Sequence, residues 1–169
     1  MIPKSAIFLP LATLFASCVG TSPFKKVVIH RGTQPIQIES RTYWNDTGIH
    51  LQSGNRYQFH VRGTWKDWTY QATSEGPASP FVNAMMFPTR PLLRYSPLRD
   101  ICANYFQPIG TIGRCEGKAL PLHAFIIRDG MTYAAPVSGI LHVFANDAPW
   151  ESAYANNQGS LELTVSEFP

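Results

Sequence analysis

From residue 27 onward, apolar positions recur in short runs with a period of two, the spacing of a strand with one buried face. Tyr57, Phe59 and Val61 alternate with Gln58, His60 and Arg62, and Ser53-Gly54-Asn55 supplies a turn ahead of them. Leu161, Leu163 and Val165 alternate with Glu162, Thr164 and Ser166 in the same way. Shorter candidates are Val27 to Ile29, Ile36 to Ile38, His123 to Arg128 and Gly139 to Ala145. Gly and Pro separate these runs at the intervals of a sandwich. Helical spacing is confined to Leu98, Ile101, Cys102 and Tyr105, about two turns. Residues 71–100 hold five prolines and no convincing strand, which predicts a long excursion over the surface. The expectation is all-β: a single antiparallel β-sandwich of the galactose-binding-like or jelly-roll type, without internal repeats.

The first residues follow another pattern. One positive charge at Lys4 precedes an apolar run from Ala6 to Ala16, the layout of a secretory signal peptide. The run is shorter than the roughly 20 apolar residues a membrane-spanning helix needs. It ends Ala16-Ser17-Cys18, which resembles the lipobox of bacterial lipoproteins, with Phe15 where leucine is usual. That resemblance implies lipidation of Cys18, and Val19 after it resembles the outer-membrane sorting pattern. The alternative is an ordinary cleavable signal with an incidental cysteine. The expected division is a signal over 1–17, a lipidated tether over 18–26 and one domain over 27–169. The expected location is the bacterial cell envelope, lipid-anchored at the outer membrane.

Export changes the reading of the remaining cysteines. Cys102 and Cys115 become an even pair in an oxidising compartment, which predicts a disulfide. Closing a loop of about a dozen residues would contribute roughly 3 kcal/mol in the chain-entropy model. Two free, buried thiols are the alternative.

Composition narrows the function classes. Charged residues make up only 15% of the chain and aromatic residues 12%, with 14 prolines and 12 glycines. That balance suits a loop-rich β domain and disfavours both disorder and a helical bundle. Loss of Lys4 with the leader lowers the net charge from +3 to about +2, and Lys25-Lys26 is the only adjacent basic pair. No nucleic-acid partner is expected.

The candidate chemistry lies between the last two confident strands, in Asn146-Asp147-Ala148-Pro149-Trp150-Glu151-Ser152-Ala153-Tyr154-Ala155-Asn156-Asn157-Gln158-Gly159. The Asp147 carboxylate and the two adjacent amides of Asn156 and Asn157 share a loop that contains no His or Cys. Calcium takes six to eight oxygen ligands of mixed type, whereas zinc favours nitrogen and sulfur. With a single carboxylate, such a site leaves coordination positions open for a ligand's hydroxyl groups. The alternative is a plain tight turn, since Asn and Gly tolerate positive φ.

Asn-Asp followed by Tyr-x-Asn-Asn-x-Gly-Ser and an alternating strand resembles the closing signature of the PA-IL-type galactophilic, calcium-dependent bacterial lectins. Trp44-Asn45-Asp46-Thr47-Gly48-Ile49, the strand ending Arg62-Gly63-Thr64-Trp65, and Ile109-Gly110-Thr111-Ile112-Gly113 are similar to upstream elements of that family. So is Gly139-Ile140-Leu141, and the similarity runs from about Thr42 to Ser166. The resemblance implies calcium held by the side chains of Asp147, Asn156 and Asn157 and by the carbonyls of Ala153 and a residue near Trp68, with sugar hydroxyls completing the shell. The stretch from Asp147 to Tyr154 is longer than in that family. Its sugar-contacting loop, with His and Gln, has no counterpart in residues 71–100.

Aromatic side chains near this constellation are candidates for stacking on a sugar. Trp150 protrudes from the loop, and Trp65, Trp68 and Tyr70 surround Asp67, with core packing as the alternative for each. The expected ligand residues are Trp150, Asp67 and Tyr70. His30, His50, His60, His123 and His142 are scattered and read as structural. No Gly-x-Ser-x-Gly elbow, His-Glu-x-x-His motif or phosphate loop occurs, and the acidic residues single out no glycosidase pair. The expected function is calcium-dependent binding of a galactoside-like carbohydrate, without catalysis, in a chain free to oligomerise. A sandwich lipoprotein acting as a protein-interaction or structural module, without sugar binding, is the alternative.

Overall fold

A computed structural model describes residues 34–82, 102–113 and 123–169. Two antiparallel sheets face each other. The larger contains β1 (Ile36–Glu39), β10 (Asn157–Phe168), β3 (Arg56–Asp67), β4 (Tyr70–Thr73) and β5 (Gly76–Pro77) in that order, with β8 (Thr132–Ala134) also paired to β3. The smaller has the order β2 (Asn45–Leu51), β9 (Gly139–Ala145), β6 (Pro108–Ile112), β7 (Ala124–Ile126). The fold is an all-β sandwich.

The predicted alternation in β3 and β10 is present, and it sets the core. Tyr57, Phe59, Val61 and Trp65 of β3 are buried, as are Leu161, Leu163 and Val165 of β10. Ile38, Val61, Leu161 and Leu163 meet Pro108 and Val143 of the other sheet, with Ile127 just beyond β7, along one interior seam. Phe59 lies edge-on to Phe125, with ring centroids 5.6 Å apart. A buried aromatic of this size is worth about 3–5 kcal/mol against alanine.

Some strands carry no alternation to read. All five residues of β6 are buried, so the strand is covered on both faces. At Gly110 an added Cβ would lie 2.6 Å from the Phe125 ring, so only glycine lets β7 approach this closely. In β2, polar side chains occupy buried positions. Asn45 donates to the carbonyls of Glu39 (3.0 Å) and Val143 (3.0 Å) and accepts from the Glu39 N–H (2.9 Å), and the Thr47 hydroxyl donates to Leu141 O at 2.7 Å.

Three expectations need correction or restriction. Residues 71–73 and 76–77 of the supposed excursion belong to β4 and β5, a small sheet extension beyond β3. Cys102 to Tyr105 form a turn rather than helix, because Asn104 and Gln107 bond to each other across it. Leu98, Ile101, the rest of the excursion from residue 83, the 27–29 strand, the leader and Cys18 lie outside the described residues. Cys102 is exposed, and Cys115 also lies outside the described residues.

Candidate functional site

The loop from β9 to β10 carries the chain from one sheet to the other. Asn146, fully buried, begins it: its N–H donates to Gln107 O, its carbonyl accepts from Phe106 N–H, and its amide donates to Asn104 O at 3.0 Å. Residues Glu151–Asn156 form a 3-10 helix. Tyr154 anchors that helix from below, donating its hydroxyl to Ala145 O at 2.6 Å and packing edge-on to Tyr43 at 5.1 Å. From the β1–β2 corner, the Tyr43 hydroxyl donates to Pro149 O at 3.3 Å and the Arg41 guanidinium to Ala155 O at 3.1 Å.

Within this frame, Asp147 and Asn157 come together. Asp147, 6% exposed, accepts from Ala148 N–H on Oδ1 (2.7 Å) and from Asn157 Nδ2 on Oδ2 (3.1 Å). Asn157 also donates from Nδ2 to Ser40 O at 3.1 Å. Its Oδ1 has no hydrogen-bond partner although the residue is wholly buried. An orphaned buried acceptor costs about 1–3 kcal/mol. Ser40 and Gly159 hold this end of β10 in place: the Ser40 N–H and hydroxyl both donate to Gly159 O, at 3.1 and 2.9 Å. Gly159 has φ +82, and an added Cβ would lie 3.1 Å from Thr64 O, so glycine is required on both counts.

The loop supplies one buried carboxylate, Asp147, its Glu151 being exposed, and the structure brings a second beside Asn157. Asp67 ends β3, and the register sets it opposite Asn157. Its Oδ1 accepts from the amide of Asn156. Burial pushes the Asp147 carboxyl up to about 6; the Ala148 N–H and Asn157 amide oppose this, and the neighbouring Asp67 charge adds to it. Burial also raises the Asp67 carboxyl, opposed by Asn156. Among the described residues, neither carboxylate forms a salt bridge.

Ala153, half-buried, is within the 3-10 helix. Trp68 opens the two-residue connection from β3 to β4 with φ +50, a left-handed conformation that costs a non-glycine residue about 1–2 kcal/mol. Trp68 is 74% exposed, Trp150 47% and Tyr70 38%. Trp65, by contrast, is core, its Nε1 donating to Phe106 O at 2.9 Å. Sequence reasoning passed over Ser40 and Tyr43 and gave Asn146 no role of its own, because their roles come from backbone partners distant in the chain.

Chemically, the side-chain donors are oxygens: two carboxylates and two amides. Among the described residues no group of three or more His, Cys, Asp or Glu side chains is placed to hold a metal ion, so a nitrogen- or sulfur-rich centre has no candidate there. The oxygen set suits a hard cation such as calcium. Rotation of the Asn157 amide would direct Oδ1 towards Asp147, an arrangement that a cation between the two oxygens would stabilise.

No protein-family model matches the chain, and no curated protein matches it. Among solved structures it is similar to the N-terminal domain of EclA, described as a PllA-like lectin. The TM-score is 0.50 at 13% identity, over 79% of this chain and 95% of that one. At that identity the likeness concerns the fold alone: the chain has a lectin-like β-sandwich fold.

Proposed function

We propose that this protein binds carbohydrate, galactoside-like in kind, through a calcium ion held by Asp147, Asn156 and Asn157 with the carbonyls of Ala153 and Trp68. The observation that carries the reading is the buried Asp147 carboxylate, without a salt bridge among the described residues, in contact with Asn157, whose Oδ1 lacks a hydrogen-bond partner. Both features are costly in the cation-free protein, and a cation relieves both. The lectin description of the solved neighbour supports carbohydrate as the ligand. The exposed rings of Trp150, Tyr70 and Trp68 offer apolar faces on which a sugar can stack. Cys18, as a lipid attachment point, would hold the domain at the envelope.

The geometry favours binding over hydrolysis. A glycosidase needs two carboxyl groups facing a substrate across a cleft. Asp147 instead is 6% exposed and has both oxygens engaged by the loop itself.

Thermal melts with calcium or EDTA, followed by a glycan array in calcium, test the reading. Calcium is expected to raise the melting temperature, EDTA to reverse it, and glycan binding to require calcium. A melting temperature indifferent to both additions would refute the cation site. Calcium binding with no glycan bound would transfer the protein to the interaction-module reading.

A further inference from the structure

Asp67 is separated from Asn156 by 89 residues, yet it lies against the site. The β3–β10 register sets it opposite Asn157, whose amide donates to Asp147, and the Asn156 amide contacts its Oδ1. Two carboxylates thus lie on either side of one buried amide, and among the described residues neither forms a salt bridge. A separate observation points to a ligand at the same place. Asn157, which touches Asp147, is fully buried with its Oδ1 unpartnered.

We propose that Asp67 is a second anionic ligand of the cation bound by Asp147, which makes this a dicarboxylate site. The inference rests on the calcium reading above and goes beyond it, because that reading has a single carboxylate. Two carboxylates match the charge of a divalent ion, and charge count is one of the two features by which oxygen sites set calcium affinity. On cation entry, Asp67 exchanges the Asn156 Nδ2 contact for the ion, and the Asn156 amide turns its oxygen inward. Two other roles for Asp67 are separable from this one: merely fixing the Asn156 amide, or accepting a sugar hydroxyl.

The test is a sugar-free titration of the full chain with calcium and with terbium, whose luminescence tryptophan sensitises. Asp67→Asn is expected to weaken calcium binding at least tenfold while its melting temperature in EDTA stays at or above that of the wild type. If Asp67→Asn folds poorly, Asp67→Ser removes the same charge with a smaller side chain and is expected to give the same loss. A calcium affinity within twofold of wild type in the folded variant overturns the proposal, whether or not glycan binding falls, and leaves the Asp147 site standing. Absence of cation binding by the wild type overturns this proposal and the calcium reading together.

Discussion

Asp147→Asn separates the cost of burying a carboxylate from what a cation returns. The folded-state carboxyl is pushed up to about 6 by burial, against an ordinary value of about 3.9. The folded state therefore holds the proton more tightly than the unfolded chain. Its stabilising contribution is complete below about pH 4 and is lost as pH rises through about 6. At about 1.4 kcal/mol per pH unit across roughly two units, the cation-free protein gives up about 3 kcal/mol by pH 7. Asparagine removes that penalty at every pH. Its amide nitrogen then meets Asn157 Nδ2 where Oδ2 accepted a bond at 3.1 Å, and the forfeited bond takes back about 1 kcal/mol. In EDTA at pH 7, Asp147→Asn is thus expected to be about 2 kcal/mol more stable than wild type. For a chain of this size that is about 4–8 °C in Tm. At pH 4 the gain disappears. With calcium at about 1,000 times Kd the wild type gains about 4 kcal/mol and the variant nothing, which inverts their order. Circular-dichroism melts at both pH values, with EDTA and with calcium, read all of these quantities. A variant no more stable than wild type in EDTA at pH 7 would show the burial argument to be wrong. Equal stabilisation of both proteins by calcium would remove Asp147 from the cation site.

Three further outcomes are expected. Trp68→Gly relieves the left-handed φ of +50 and should stabilise by about 1 kcal/mol in urea melts, while glycan affinity falls at least fivefold; unchanged affinity would exclude the indole from the sugar surface. Cys18→Ala should move the protein from the membrane to the soluble fraction on cell fractionation, and continued membrane partition would refute lipidation at Cys18. Cys102 and Cys115 should resist alkylation in the oxidised protein, as read by intact mass, and should both take label after reduction; label on both before reduction would refute the bond.

The sequence alone determined those parts of the molecule that depend on neighbours in the chain. β3 and β10 were legible because each packs one face on the core and leaves the other to solvent, so Tyr57, Phe59, Val61 and Leu161, Leu163, Val165 mark period two directly. The pair Asn156-Asn157 and the nearby Asp147 could be recognised as a donor set because one short loop carries all three. Tertiary structure alone decided the rest. β6 is buried on both faces and shows no alternation, and β2 buries Asn45 and Thr47, whose polarity is satisfied largely by backbone groups of β1, the β1–β2 corner and β9. The second carboxylate arrives through pairing of β3 with β10, a register fixed by which faces those strands bury. The elevated Asp147 carboxyl and the orphaned Asn157 Oδ1 arise from the exclusion of water once the sheets close over the loop. Burial is a property of the assembled sandwich, and no local stretch of sequence encodes it.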